Sequence, residues 1–167
     1  MRFAPVAAAL SLVLAVTASV GSAADRDPSP RAAALIAEGR AALADGQTQG
    51  AIDAFEAALT VDPGYTPILL DLAQAARAEA LQGKAIRYYR EALVRDPGNL
   101  AAIAGEGEAL VEKGAVEKAK ANLARLESLC GSCSEAQGLE ATIAAGPAER
   151  VMTAEVVLPD SEPVQAN

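Results

Sequence analysis

The sequence of 167 residues contains no histidine and no tryptophan. Imidazole is the commonest general base near neutral pH and the commonest metal ligand, so its absence argues against most hydrolase mechanisms and against structural zinc sites. No nucleophile–base pair, glycine-rich phosphate loop or set of clustered carboxylates stands in its place. We therefore expect a protein that is not an enzyme, with no catalytic residues, no bound metal and no cofactor.

Aromatic residues are also scarce, at 3% of the chain, although 51% of its residues are hydrophobic. Much of the apolar content is alanine, whose small side chain allows helices to pack closely. Nowhere do Val, Ile and Thr alternate with polar residues over the length of a strand, as a half-buried sheet requires. The composition predicts an all-α fold, and the length suits one domain on the usual prior of roughly 100–200 residues.

Positive charge is in short supply, with 14 Lys and Arg against 22 Asp and Glu and a formal net charge of -8. Nucleic acids and acidic membrane surfaces bind to basic faces of proteins. Neither is therefore expected as a partner of this chain.

Two stretches of the chain, residues 51–64 and residues 85–98, share the same amino acid at seven matching positions that lie 34 residues apart. In each stretch apolar residues recur at helical spacing, as at Ile52 and Phe55. An Asp-Pro-Gly sequence then follows, which ends a helix. A fixed period of this length is typical of arrays of helical repeats.

Capping residues and glycines predict six helices in three antiparallel pairs between residues 30 and 129, joined by short connections. The third helix is expected to reach about Leu81, and Gly83 is the expected break before the fourth. A seventh helix is predicted at residues 134–145, where Ser134 opens a capping-box pattern. Four other polar residues are expected to cap helix starts: Ser29, Thr48, Thr66 and Asn99.

The repeats resemble the tetratricopeptide repeat, whose second helix carries the pattern Ala-x3-Phe followed by Pro. The large aromatic residues of the family's first helix are missing, and Gly131 stands where the third proline is expected. The resemblance implies antiparallel helix pairs stacked as a short right-handed solenoid, with the helix at 134–145 as a C-terminal cap. The matching residues fall in three repeats, at about 32–65, 66–99 and 100–133: Ala51, Phe55 and Pro63, then Ala85, Tyr89 and Pro97, then Ala119 and Leu123.

In this family the first helix of each pair lines a concave surface, along which many members bind extended peptides or helices. The resemblance therefore implies a protein or peptide partner and a role as an adaptor, scaffold or assembly factor, with self-association left open. The Lys and Asn set with which some chaperone-binding members hold a terminal carboxylate is not present. Arg40 and Arg77 are expected either to hold a carboxylate of the partner or to pair with neighbours such as Asp71 and Glu108. The implied groove residues are Ile36, Arg40, Leu43, Leu70, Gln74, Arg77, Ala104, Glu108 and Val111.

Cys130 and Cys133 are the two cysteines of the chain, and a C-x-x-C can be a disulfide, a redox pair or part of a metal site. No third cysteine or histidine exists to complete a zinc site. The carboxyl end of a helix, where Cys130 is expected, disfavours a thiolate, whereas the position of Cys133 just before the next helix favours one more. We expect a disulfide that links the last repeat to the capping helix, and the alternatives are a thiol–disulfide redox factor and free thiols.

Residues 1–24 have the three parts of a secretory signal, namely a positively charged start, an apolar core and small residues before a cleavage site. We expect cleavage and export to a periplasm or to the medium, with no membrane span left. The alternative is an uncleaved anchor, for which the apolar core is short. Residues 146–167 are acidic and lack a helical period, which predicts a disordered tail. In a rival interpretation, residues 151–158 dock on a partner or on the array.

Overall fold

A computed structural model of the chain describes residues 26–147. The predicted signal peptide and the predicted tail from residue 148 onward lie outside the described residues, so both stay predictions. Residues 26–147 form seven α-helices and no strand, which confirms the all-α class. The helices are α1 (Pro30–Ala44), α2 (Thr48–Val61), α3 (Pro67–Ala78), α4 (Gln82–Arg95), α5 (Leu100–Glu112), α6 (Val116–Cys130) and α7 (Ser134–Ala145).

The helices pack as three antiparallel pairs, α1 with α2, α3 with α4, and α5 with α6. Each pair packs on the next, through α2 against α3 and α4 against α5. The last helix, α7, lies against both α5 and α6. Helices α1, α3, α5 and α7 form what we call the inner row, and α2, α4 and α6 form the outer row. The arrangement is the predicted solenoid with a capping helix.

The core is built mostly from aliphatic side chains, with very few aromatic ones. Its helices approach closely through glycine and alanine. A Cβ atom added to Gly39 would come within 2.6 Å of the Phe55 ring, and one added to Gly107 would come within 2.5 Å of a Leu139 methyl group. Each of these glycines therefore makes room for one large side chain of an adjacent helix. The largest fully buried side chains are Phe55, Ile68, Leu69, Leu72, Ile103, Leu126, Leu139 and Val111.

The starts of the helices follow the predicted caps only in part. Side-chain oxygens of Ser29 and Asn99 accept hydrogen bonds from backbone N–H groups three residues on, as predicted. Thr48 and Ser134 are instead the first residues of α2 and α7, and neither caps its helix with its side chain. Thr66 stands at the N-cap of α3 with helical φ and ψ of -56° and -35°. A capping side chain needs an extended backbone, and Thr66 makes no cap hydrogen bond. The predicted starts of α2, α3 and α7 are therefore confirmed, whereas the predicted side-chain caps at Thr48, Thr66 and Ser134 are wrong.

The turns inside the three pairs share one backbone conformation. A residue with positive φ stands in each turn, at Gly46 (74°), Ala80 (58°) and Gly114 (84°), so the positions repeat every 34 residues. The N–H of that residue donates to the carbonyl three residues back, and the next N–H donates to the carbonyl five residues back. This is the Schellman pattern, in which the left-handed residue closes the helix.

The turn between α3 and α4 corrects the predicted break at Gly83. Helix α3 ends at Ala78, three residues before the predicted limit at Leu81, and Gly83 lies in the first turn of α4. Ala80 takes the left-handed position that glycine occupies in the other two turns. The break is therefore set by the repeat register, and the nearest glycine in the sequence does not mark it.

Candidate functional site

The inner row of helices surrounds a cleft of about 500 Å³. Its floor is small and apolar, with Leu70 from α3 and Ala104 and Gly105 from α5. A cleft of this volume accommodates a small ligand or a few side chains of a bound segment, and it cannot enclose a folded domain. Polar side chains surround the floor: Arg40, Asp71, Gln74, Arg77, Glu108, Ser134 and Glu135.

The groove residues implied by the repeat register divide into two groups. Ile36 and Val111 are only 4% and 1% exposed and belong to the core, and Leu43 packs against the same core. None of these three apolar side chains lines the cleft, and Leu43 is only partly buried; a role for them in binding a partner stays a prediction. The others line the cleft: Arg40, Leu70, Gln74, Arg77, Ala104 and Glu108.

Arg40 forms a two-pronged pair with Asp71. Its Nε atom donates to Asp71 Oδ1 at 3.1 Å, and its Nη2 atom donates to Oδ2 at 2.9 Å. The hydrogen bond to Asp71 outweighs the opposing effect of burial and raises the pKa of Arg40. Both oxygens of the carboxylate are thus engaged by one guanidinium, which joins α1 to α3 at the rim of the cleft.

Arg77 of α3 is shared by two carboxylates of α5. Its Nη1 atom donates to Glu108 Oε2 at 2.5 Å, while Nε and Nη2 donate to Glu112, the former at 3.1 Å. The Arg77 side chain is 23% exposed. Burial lowers the pKa of Arg77, but the hydrogen bond to Glu112 and the negative charge of Glu108 raise it by more. The pKa of Arg77 therefore lies above the ordinary arginine value. Of the two alternatives for Arg40 and Arg77, the structure shows pairing with neighbours.

Tyr89 reaches the cleft from α4 in the outer row. Its side chain lies against Gly105, where an added Cβ would come within 2.6 Å of the hydroxyl oxygen. Tyr89 is 2% exposed, and burial raises the pKa of its hydroxyl despite the opposing effect of the Arg77 guanidinium. The family pattern placed Tyr89 at a packing position, so the contribution of its hydroxyl to the cleft wall was missed.

The first turns of α7 close the cleft with Ser134, Glu135 and Gly138. The Ser134 hydroxyl donates to Glu135 Oε2 at 2.9 Å. Sequence reasoning missed these residues because α7 lies outside the repeat register. A capping helix must nevertheless pack on the last inner helix, and that requirement could have indicated that α7 would flank the cleft.

Negative charge exceeds positive charge in the cleft, and two of its ion pairs could have been predicted from the spacing of residues in the sequence. The pairs Arg40–Asp71 and Arg77–Glu108 are each 31 residues apart, which is one repeat less about one helical turn. Neighbouring inner helices bring such positions together. Two positive and four negative groups at or next to the cleft leave a net charge of -2: Arg40 and Arg77 against Asp71, Glu108, Glu112 and Glu135.

Cys130 ends α6, and Cys133 is the N-cap of α7. Their Cα atoms are 5.7 Å apart, a separation that a disulfide can span; the bridge and its redox role stay predictions. Residues 26–147 hold no group of three or more His, Cys, Asp or Glu suited to a metal ion. Among the helices of that same range, none combines the length and the apolar character that a membrane span needs.

Comparison with known proteins identifies the family. The sequence pattern of the tetratricopeptide repeat matches residues 42–80 and 83–143, well over half of the chain. The chain belongs to the tetratricopeptide repeat family. No curated protein sequence matches it.

Solved structures of tetratricopeptide repeat domains resemble the fold. The Sgt2 domain from Aspergillus fumigatus is 28% identical, with a TM-score of 0.64 over 71% of this chain and 80% of that one. The second domain of human RPAP3, in complex with the HSP70 peptide SGPTIEEVD, is 19% identical, with a TM-score of 0.63 over 71% and 98% of the two chains. The Yersinia enterocolitica type III secretion chaperone SycD, in complex with a peptide of the translocator YopD, is 20% identical, with a TM-score of 0.59 over 68% and 86%. At such identities the last two show the fold alone.

Proposed function

We propose that this protein is an interaction module, an adaptor or assembly factor without catalytic activity, that holds a segment of a partner protein in the cleft. The observation that carries the proposal is the cleft itself, with an apolar floor of Leu70, Ala104 and Gly105 between hydrogen-bonding walls. Two similar folds support it, because the RPAP3 domain holds an HSP70 peptide and SycD holds a peptide of YopD.

Binding follows from the properties of the floor and of its edges. The floor removes apolar side chains of the bound segment from water, which contributes about 25 cal/mol per Å² of apolar surface. Gln74, exposed beside the floor, offers an amide donor and an acceptor to the backbone of an extended segment. Arg40 and Arg77 hold the inner helices together in this account, because both guanidinium groups are already paired.

A photoreactive amino acid placed at Gln74 tests the proposal in cells of the source organism. We expect adducts with a partner from this position and none from Gln49, which is exposed on α2 in the outer row. The further change Leu70→Glu should abolish the adducts while the helical circular dichroism is retained. Equal adducts from both positions, or adducts that survive Leu70→Glu, would contradict the proposal. An adduct of twice the chain mass would identify self-association through the cleft.

We further propose that the module works outside the cytoplasm, in a periplasm or after secretion. The signal pattern at residues 1–24 and a cysteine pair suited to an oxidising compartment support this location. Fused to alkaline phosphatase, which becomes active only where its disulfides form, residues 1–24 should give an active reporter. Leu14→Arg, within the apolar core of the signal, should abolish that activity. An inactive fusion, or one indifferent to Leu14→Arg, would rule out export by this segment.

A thiol–disulfide redox factor is the alternative function. One observation favours it, because Cys133 is the N-cap of α7, where the helix dipole stabilises a thiolate. A reduction potential below about -300 mV indicates a structural bridge, whereas one near that of thioredoxin or higher supports redox activity. The double change Cys130→Ser and Cys133→Ser separates the two functions, since an interaction module keeps its adducts from Gln74 and a redox factor loses its activity.

A further inference from the structure

The positively charged side chains of the cleft are already paired with carboxylates of the same protein. Arg40 directs Nε and Nη2 at the two oxygens of Asp71, and Arg77 is divided between Glu108 and Glu112. A carboxylate of a partner would compete with these carboxylates for the same guanidinium groups. It would also approach them in a partly desolvated place, where like charges repel more strongly than in water. The cleft is therefore poorly suited to an acidic segment.

The end of the cleft at Glu108 carries an excess of negative charge. Arg77 lies in the last turn of α3, and Glu108 and Glu112 lie within the last five residues of α5. The carboxyl ends of two inner helices therefore meet at this end. The terminal carbonyl groups of a helix carry roughly half a negative charge. One guanidinium thus faces two carboxylates and two negative helix ends.

The opposite end of the cleft is formed by the amino ends of helices. Pro67, Ala101 and Ser134 belong to the first turns of α3, α5 and α7. Amino ends of helices favour anions, and Glu135 supplies a carboxylate in the first turn of α7, whereas the first turns of α3 and α5 hold no acidic residue. A cationic group is therefore better accommodated at the Glu108 end, and neither end offers an uncommitted cation to an anion.

We propose that the cleft selects a partner segment with a lysine or arginine side chain against Glu108 and Glu112. A small aliphatic side chain of the same segment lies on the floor formed by Leu70 and Ala104. The inference rests on the proposed function and adds the chemistry of the partner, argued from charge complementarity. It also argues against the alternative in which Arg40 and Arg77 hold a carboxylate of the partner. Acidic segments and free terminal carboxylates are disfavoured.

Peptide selection on the purified protein tests this specificity. Random twelve-residue peptides displayed on phage are selected, and we expect lysine and arginine to be enriched over the starting library. A selected sequence, synthesised with both ends blocked, is then compared with copies that carry norleucine or glutamate in place of its basic residue. Fluorescence anisotropy should show about tenfold weaker binding for norleucine, since a charge-assisted hydrogen bond is lost, and weaker binding still for glutamate.

Variants of the protein then locate the effect. In E108Q/E112Q the preference for the basic peptide should shrink to a few-fold, whereas the matched control Glu117→Gln should keep it, because Glu117 is exposed on α6, pairs with Lys120 and does not line the cleft. If E108Q/E112Q does not fold, salt replaces it as the test on the unaltered protein. Added NaCl must then weaken binding of the basic peptide and leave binding of the norleucine copy unchanged. Equal weakening of binding for both peptides overturns the inference.

The outcomes separate this inference from the proposed function. Enrichment of acidic peptides, tighter binding of a peptide with a free α-carboxylate, or an unchanged preference in E108Q/E112Q overturns the inference and leaves the interaction module in place. Selected peptides that bind Leu70→Glu as well as the unaltered protein show that the cleft is not the site, and both proposals then fail. A selection that enriches no sequence counts against both as well.

Discussion

Replacing Ala80 by glycine should stabilise the protein. Ala80 is the non-glycine residue with positive φ (58°) among residues 26–147, and it closes α3 in the position that Gly46 and Gly114 occupy in the other two pairs. For an L-residue with a Cβ atom, the left-handed region costs roughly 1–2 kcal/mol. Glycine removes that cost but makes the unfolded chain more flexible, which takes back about 0.4–1 kcal/mol. A net gain of about 0.5–1 kcal/mol is expected for Ala80→Gly.

Urea titration followed by far-ultraviolet circular dichroism measures the free energy of unfolding of this variant. The melting temperature, followed by the same signal on heating, should rise by about 1–4 °C, from the usual relation between stability and Tm at this chain length. Gly46→Ala and Gly114→Ala are matched controls, since an added Cβ at either position meets nothing within 4 Å. Each should lose about 1 kcal/mol from backbone strain alone. An Ala80→Gly variant less stable than the unaltered protein, or glycine controls of unchanged stability, would refute the reasoning.

Three further measurements test the packing and the ionisable groups. Gly107→Ala should lose about 1–3 kcal/mol through overlap with Leu139, whereas Gly138→Ala, which meets no atom within 4 Å, should gain about 0.5–1 kcal/mol; urea midpoints decide, and equal midpoints contradict the proposed packing. Asp62 has a lowered pKa because it accepts hydrogen bonds from the Ser29 backbone and from Arg26, so its contribution is present above about pH 4 and is lost as the pH falls through the lower folded value. Asp62→Asn should flatten the acid side of the stability profile, and an unaltered profile would exclude this role. Burial raises the pKa of Tyr89, so its contribution is present below about pH 10 and is lost as the pH rises further. Tyr89→Phe should remove that alkaline loss, and its persistence would point to another group.

The repeat architecture was accessible from sequence because its signals are local and recur. Apolar spacing marks the buried stripe of each helix, and the two Asp-Pro-Gly sequences mark the ends of two helices. The helix pairs could therefore be counted without any tertiary information. The break before α4 was not accessible in this way. Gly83 was the obvious candidate, and only the register of Gly46 and Gly114 indicates that Ala80 carries the positive φ.

The position of the cleft could be predicted from the sequence, but the burial and pairing of its side chains could not. Register pointed correctly to the helices that line it, yet it also included Ile36 and Val111, whose burial depends on how neighbouring helices cover them. The sequence allows two alternatives for Arg40 and Arg77, since it gives the charges but not the distances between them. The contribution of Glu135 depends on how α7 docks, and no repeat pattern covers that helix.

The docking of α7 limits how far the array can grow. This helix occupies the place where the first helix of a fourth pair would stack, and it rests on α5 and α6. Its outward residues are short or polar and exposed, among them Gln137, Glu140 and Ala144. They offer no apolar stripe on which another pair could be built. Among residues 26–147, α7 thus ends the row of inner helices, and under the proposed function it limits the length of partner segment that the cleft can contact.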